Sequence, residues 1–227
     1  VFNDICRKMY NDTLSVIDYK KNSKVYLHDS RQYNRYIGSN TCSICITSPP
    51  YLNNLDYGEV SKVHSHFYGY TDNWKDISNV IRKKLITGST THYKNSEFDM
   101  SEFLNSEFSQ TNTKNIQFLL KKFDEIKEIA AGRKGKKSYH ILMLLYFQDM
   151  YKVFKEIRRV IKSQGKAYLI LGDSAPYGVY IPTTKILGEI SKSVGFSSYD
   201  IYNIRTRGKK WKTLKHRHKI LLPENIL

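Results

Sequence analysis

A short apolar segment that ends abruptly in two prolines constrains the fold of this chain more than any other feature. Residues 41–47 (TCSICIT) are almost all apolar or small, which is typical of a strand buried on both faces of a sheet. The next four residues are Ser48-Pro49-Pro50-Tyr51. Because proline lacks a backbone N–H and restricts the residue before it, the strand cannot continue into this turn. We therefore predict a buried strand with a rigid turn at its carboxyl end.

Helix and strand patterns alternate along most of the remaining sequence. The spacing of apolar residues predicts helices at 2–19, 74–85, 139–162 and 182–194, and further strands at 24–28, 166–171, 198–205 and 219–222. Gly165 stands where the end of a helix favours glycine. This alternation indicates an α/β fold built on a three-layer sheet. Chemistry in such sheets lies beyond the carboxyl ends of the strands, where we expect Asp29, Asp173 and the turn at 48–51.

A polar segment interrupts this pattern. Residues 86–137 are rich in Ser and Asn, with one predicted helix at 115–131 and a basic stretch at 132–137. We interpret 1–85 and 138–227 as one catalytic domain, and 86–137 as an insertion that acts as a lid or in target recognition. The basic stretch fits a solvated loop equally well.

The charge balance favours a polyanionic partner. The chain has 37 Lys and Arg against 21 Asp and Glu, a net charge of +16, together with 18 Tyr and 10 Phe that can stack on bases. Basic residues crowd one segment near the end, which we predict to contact DNA phosphates, with a solvated hairpin as the alternative. The residues of this basic segment are Arg205, Arg207, Lys209, Lys210, Lys212, Lys215 and Arg217.

The turn at 48–51 combines hydrogen-bond acceptors with an aromatic ring. The proline nitrogens carry no hydrogen, Ser48 adds a hydroxyl group and Tyr51 adds a flat ring. Such a rim suits a planar ligand with an exocyclic amino group. A plain strand-ending turn with one aromatic plug is the structural alternative.

The segment 46–57 (ITSPPYLNNLDY) resembles the catalytic motif of the amino-group DNA methyltransferases, which methylate the exocyclic amine of cytosine or adenine. The similarity continues through 172–174 (GDS), 178–182 (GVYIP), the helix after it and the basic segment before the last strand. The resemblance implies a Rossmann-like class I methyltransferase fold, S-adenosylmethionine as the cofactor and double-stranded DNA as the substrate.

The same resemblance implies a catalytic site made of Ser48, Pro49, Pro50 and Tyr51. Ser48 and the Pro49 carbonyl would accept hydrogen bonds from the target amine, which then attacks the sulfonium methyl group directly. Tyr51 would stack on a base turned out of the duplex. We expect three residues to bind the cofactor: Asp29, Ser30 and Thr47. Asp29 matches the position that contacts the cofactor's adenine in this family. The alternative is that Asp29 is a solvated residue in a turn.

Serine at the first motif position favours cytosine N4 as the target in this family. The expected setting is a bacterial restriction-modification system in the cytosol, with neither a membrane segment nor a signal peptide evident in the sequence. The alternatives are an adenine-N6 enzyme, an RNA or protein methyltransferase with a related rim, and an inactive DNA-binding fragment.

One expected part of the family's cofactor site is missing. The glycine-rich loop that follows the first strand in this family has no counterpart, since no Gly-x-Gly occurs in the 227 residues, and the acidic ribose ligand is also missing. We therefore expect a sheet without its first strands, completed by upstream residues or by a second polypeptide.

The cysteines indicate neither a disulfide framework nor a metal site. Three cysteines fit a reducing compartment. Cys42 and Cys45 form a Cys-x-x-Cys inside the apolar strand without a second pair, so we expect them to pack in the core, with no bound metal.

Overall fold

The computed structural model describes residues 2–15, 23–53, 55–133, 137–209 and 218–227. These residues form a mixed α/β fold around one four-stranded sheet, which confirms the predicted α/β class. The Rossmann-like three-layer arrangement stays a prediction. The strands are β1 (Cys42–Thr47), β2 (Ile161–Gly172), β3 (Tyr202–Arg207) and β4 (Leu222–Ile226), in the spatial order β1-β2-β4-β3. The pair β1–β2 is parallel, whereas β4 runs antiparallel to both of its neighbours.

The helices lie mainly between β1 and β2 in the sequence. They are α1 (Phe2–Ser15), α2 (Tyr57–Val60), α3 (Lys62–Phe67), α4 (Trp74–Asp76), α5 (Met100–Asn105), α6 (Glu107–Thr111), α7 (Thr113–Ala131), α8 (Tyr139–Val160) and α9 (Thr183–Ser193). The predicted helix at 74–85 consists of α4, a π-helical turn at Ile77–Ile81 and a 3₁₀ turn at Arg82–Lys84. No helix in the described ranges has the length and apolar character needed to cross a membrane.

Helix α8 forms the centre of the core. Apolar residues recur on nearly every face, and 12 of its 22 residues are buried. It packs against α7 on one side and against β2 and α9 on the other. One face of α7, including Leu119, Phe123 and Ile126, is buried in the same hydrophobic cluster. Part of the segment 86–137 therefore shares the core of the chain, while the division into a catalytic domain and an insertion stays a prediction.

The predicted burial of β1 on both faces is wrong. Ile44 is 58% exposed and Ile46 is 76% exposed, because they lie on a face of the sheet that the described residues leave uncovered. Cys45 packs against the core from the other face, as expected for one cysteine of the Cys-x-x-Cys, and burial raises the pKa of its thiol. One face of β1 is thus covered and the other is open.

The predicted strand at 24–28 is also wrong. These residues form no strand, and the side chains of Val25 and Leu27 are fully exposed. A strand needs a neighbour for its backbone hydrogen bonds, and these residues pair with none of the four described strands. Asp29 consequently follows an irregular segment rather than the end of a strand.

Other element boundaries shift by a few residues. Helix α1 ends at Ser15, and residues 16–19 of the predicted helix lie outside the described residues. The last strand is β4, which begins three residues after the predicted start at 219, and β3 begins four residues after the predicted start at 198. Helix α9 agrees with its prediction, with Gly195 following it at a positive φ of 103°.

The prediction that Gly165 ends a helix is wrong, because Gly165 lies inside β2. The register of β1 against β2 shifts between Cys42 and Ile44, which leaves extra residues in β2 at this point. A Cβ atom on Gly165 would lie 2.6 Å from Ile161 Cγ2 and 2.8 Å from the Ser43 carbonyl oxygen. The glycine therefore permits the close approach of two backbones at a strand irregularity.

Candidate active site

The turn at 48–51 lies at the carboxyl end of β1, on the edge of the sheet where the sequence places it. Pro49 is buried, whereas Ser48 is exposed and its Oγ lies 3.5 Å from the Ile170 carbonyl oxygen. This is the long limit of a hydrogen bond. The Ser48 hydroxyl therefore stands at the surface and can accept hydrogen bonds from a ligand.

Tyr51 is held at both its hydroxyl group and its ring. Its Oη donates to Glu224 Oε1 at 2.7 Å, and Arg205 Nε donates to the other oxygen of this carboxylate at 2.5 Å. The guanidinium carbon of Arg207 lies 5.1 Å from the centre of the Tyr51 ring, while its Nη2 donates to the Asp173 carbonyl oxygen at 2.9 Å. Burial raises the pKa of Tyr51 to about 12, with a further contribution from the Glu224 carboxylate. The phenol stays protonated at neutral pH.

Asp56 organises the segment that follows the turn. Its carboxylate caps α2 by accepting from the Glu59 N–H, and it accepts from Arg82 Nη2 and Thr91 Oγ1, both at 2.7 Å. His92 Nε2 lies 3.3 Å from the same carboxylate. Burial opposes ionisation, but the hydrogen bonds from Arg82 and Thr91 outweigh it and hold the pKa of Asp56 well below its usual range.

The loop at 87–92 packs against the turn and contacts Pro50 and Asn53. The Asn53 N–H donates to the Gly88 carbonyl oxygen at 3.2 Å, and a Cβ atom on Gly88 would lie 3.3 Å from Pro50 Cβ. The loop is itself fixed to α8, because the N–H and hydroxyl of Thr87 donate to Asp149 Oδ2 at 3.0 and 2.9 Å. Residues assigned from sequence to an insertion therefore support the turn.

Asp29 is engaged by a neighbouring arginine. Arg31 donates to both carboxylate oxygens, from Nε at 3.0 Å and from Nη2 at 2.8 Å, and this hydrogen bonding lowers the pKa of Asp29. Arg31 Nη1 also donates to Asp149 Oδ2 at 3.0 Å, so Asp29 is linked to the loop behind the turn. Ser30 is exposed, and Thr47 is half-buried at the end of β1. The cofactor role of these residues stays a prediction.

Asp173 shapes the loop between β2 and α9. Its Oδ1 accepts from the N–H and hydroxyl of Thr184 at 2.9 and 3.0 Å, and its Oδ2 accepts from Tyr180 Oη at 2.5 Å. Burial, followed by the Asp173 carboxylate, raises the pKa of Tyr180. The loop is fixed by a buried carboxylate with three hydrogen bonds.

The basic segment is described only in part. Arg205 and Arg207 are engaged as above, and Lys209 is exposed. The remaining predicted phosphate contacts lie outside the described residues: Lys210, Lys212, Lys215 and Arg217.

Sequence reasoning missed the residues that hold the turn. Most of them come from other parts of the chain. Only Asp56 lies within the motif segment 46–57, and this position is the one signal from which the sequence could have identified it. The missed residues are Asp56, Arg82, Thr91, His92, Asp149 and Glu224.

Comparisons with known proteins show a similarity to a methyltransferase. No protein-family model matches the chain, and no solved structure matches it. The chain is 24% identical over 179 residues to a Type II methyltransferase, M.BsoBI, of Geobacillus stearothermophilus. The match covers 75% of this chain and 34% of that protein, so the chain spans about a third of the length of its relative. This similarity supports the methyltransferase family that the segment 46–57 predicts.

Proposed function

We propose that the chain carries the methyl-acceptor site of an S-adenosylmethionine-dependent DNA methyltransferase. The observation that carries this proposal is the turn at 48–51, which presents an exposed Ser48 hydroxyl next to a fixed aromatic ring at the carboxyl edge of the sheet. The similarity to a Type II methyltransferase and the net charge of +16 support it independently.

The turn acts by binding and orienting an amine. The exocyclic amine of a base is a weak nucleophile because its lone pair is delocalised into the ring. Ser48 Oγ and the Pro49 carbonyl oxygen accept hydrogen bonds from the two N–H groups of the amine. These hydrogen bonds localise the nitrogen lone pair and direct it away from the turn. Tyr51 stacks on a base that has left the duplex and keeps the amine in reach of these acceptors. No covalent bond to the protein forms.

S-adenosylmethionine would supply the electrophilic methyl group. The described residues do not by themselves form a full cradle for it, since Arg31 already engages the Asp29 carboxylate and no Gly-x-Gly occurs in the chain. We propose that an upstream segment or a second polypeptide completes this part of the site. The exposed face of β1, with Ile44 and Ile46, supports the proposal because it is an apolar surface with no described element over it.

We propose cytosine N4 as the target, on the serine at the first position of the motif. Adenine N6 is the second candidate, since the same acceptors suit either exocyclic amine. The enzyme would act on DNA in the bacterial cytosol as part of a restriction-modification system.

The experiment follows labelled methyl transfer from S-adenosylmethionine to DNA, with the chain alone and with its upstream coding region restored. Mass spectrometry then identifies the modified nucleoside. N4-methylcytosine supports the full proposal, and N6-methyladenine selects the second candidate. DNA binding without transfer in either form would indicate the inactive DNA-binding fragment instead.

Replacement of Ser48 separates chemistry from binding. We expect Ser48→Ala to lower kcat by about 10–100-fold while the Kd for DNA stays unchanged, because a single acceptor at the reacting group is lost. Ser43→Ala is the matched control, since Ser43 is an exposed serine on β1, the strand that precedes the turn. An equal loss of kcat and DNA affinity in Ser48→Ala would contradict a catalytic role.

A further inference from the structure

We propose that Glu224 is the positioning residue for Tyr51, and that Arg205 and Arg207 hold this pair instead of binding DNA phosphates. The inference rests on the proposed function, because it concerns the orientation of the ring on which the target base stacks. It changes the assignment of the two arginines, which the sequence places among the phosphate contacts.

The hydroxyl end of Tyr51 is held by a buried carboxylate. Glu224 is buried in β4, and its two carboxylate oxygens accept from Tyr51 and from Arg205. A buried carboxylate needs such partners to remain ionised. The Arg205 hydrogen bond lowers the pKa of Glu224 and keeps it charged. The phenol oxygen is therefore tied to a fixed anion on a strand rather than to a mobile surface group.

The face of the Tyr51 ring is held by a second arginine. Arg207 lies over Tyr51 and is anchored in turn by the Asp173 carbonyl oxygen. A Cβ atom on Gly172 would overlap the Arg207 guanidinium group and lie 3.0 Å from Tyr51 Cδ2. Glycine at this position therefore leaves the space in which the guanidinium group and the ring meet.

Together these contacts restrict both side-chain torsions of Tyr51. The hydroxyl group is fixed by β4 and the ring plane by β3, so the ring cannot turn without breaking a charged hydrogen bond or a cation–π contact. A stacking platform must hold the base within a fraction of an ångström for efficient attack. Arg205 Nε donates to the Glu224 carboxylate, although the Arg205 side chain is 69% exposed. This pairing offsets the charge of the guanidinium group and weakens it as a phosphate ligand.

The test compares Glu224→Gln and Glu224→Ala with Glu189→Ala in the form of the protein that transfers methyl groups. Glu189 accepts from Tyr199 Oη at 2.7 Å on α9, so the control removes the same kind of pair elsewhere. We expect Glu224→Ala to lower kcat by about 10–100-fold with Kd for DNA unchanged. Glu224→Gln retains more activity because its amide oxygen still accepts from Tyr51. The control retains full kcat.

A second readout does not depend on activity. NMR of ¹³C-labelled tyrosine should show the pKa of Tyr51 falling from about 12 toward its ordinary value in Glu224→Gln. A Tyr51 signal and pKa identical to those of the wild type would overturn the inference even if the chain transfers no methyl groups. Full kcat in Glu224→Ala, with an active wild type, would also overturn it.

The arginines provide a third arm. We expect Arg205→Gln to leave the salt dependence of DNA binding unchanged, since its guanidinium group serves Glu224. A decrease of about 0.9 in the salt slope would place Arg205 on a phosphate and overturn that assignment. Absence of methyl transfer by the wild-type protein would instead count against the proposed function alone.

Discussion

Replacing Asp56 by asparagine removes one negative charge from the network behind the turn. The carboxylate is the anionic partner of Arg82, whose side chain is 9% exposed. Asparagine still caps α2, since asparagine and aspartate are similar N-caps. The variant therefore tests the charge and not the cap.

The expected cost follows from the contacts of Arg82. Removing one partner of a buried ion pair costs about 3–5 kcal/mol because the other charge is left uncompensated. Glu59 lies 3.7 Å from Arg82 and offers a weaker substitute. We therefore expect Asp56→Asn to lower the free energy of unfolding by about 2–4 kcal/mol at pH 7.

The pH dependence has a defined direction. The pKa of Asp56 is lowered in the folded chain, with burial opposing and Arg82 and Thr91 prevailing. The contribution of Asp56 is therefore fully present above its unfolded pKa of 3.8 and is lost as the pH falls through the lower folded value. The difference in the free energy of unfolding between wild type and Asp56→Asn should be constant from pH 7 down to about the unfolded pKa of 3.8 and should shrink below that pH.

Urea unfolding of the two proteins between pH 3 and 7 measures this difference. Asp99→Asn is the matched control, because Asp99 caps α5 by accepting from two backbone N–H groups at an exposed site. We expect the control to cost only a few tenths of a kcal/mol. A loss in Asp56→Asn no larger than in Asp99→Asn would refute the role of the Arg82 ion pair.

Two further predictions concern stability and DNA binding. The Tyr146 hydroxyl is fully buried without a hydrogen-bond partner among the described residues, so Tyr146→Phe should raise the free energy of unfolding by about 1 kcal/mol in urea titration; a decrease would show that the hydroxyl is satisfied. Neutralising Lys209, Lys210 and Lys212 to glutamine should lower the salt slope of DNA binding by up to about 2.7. The same change at the exposed Lys114, Lys121 and Lys127 of α7 should leave the slope unaltered, and equal slopes in both triple variants would place the DNA elsewhere.

Local signals in the sequence predicted the elements whose structure depends on local chemistry. The apolar spacing of α8, the strand β2 and the proline turn after β1 all agree with the structure. The strand predicted at 24–28 failed because strand formation depends on a neighbour that the described residues do not provide. The exposure of β1 could not be predicted for the same reason, since an apolar strand has the same sequence whether its second face is covered or open.

The supporting residues of the site could not be predicted because they are distant in sequence. Glu224 lies 173 residues from Tyr51, and Arg82 lies 26 residues from Asp56. Aspartate, arginine and glutamate on a basic surface are ordinary in sequence, and only the topology brings them to the turn. The order of the sheet places β4 beside β2, which sets Glu224 within reach of Tyr51.

The Asp56 and Glu224 networks hold different parts of the turn, so substitutions in each can be tested separately. Asp56 and Arg82 hold the segment that follows the turn, so their loss should lower stability. Glu224 and Arg207 hold the Tyr51 ring, so their loss should lower kcat at nearly constant stability. Ser48 is exposed and belongs to neither ion-pair network, although its hydroxyl group contacts Tyr51, so its loss should lower kcat with little effect on stability. If substitutions at Asp56, Glu224 and Ser48 all lowered the free energy of unfolding equally, the residues of the turn would have only a structural role.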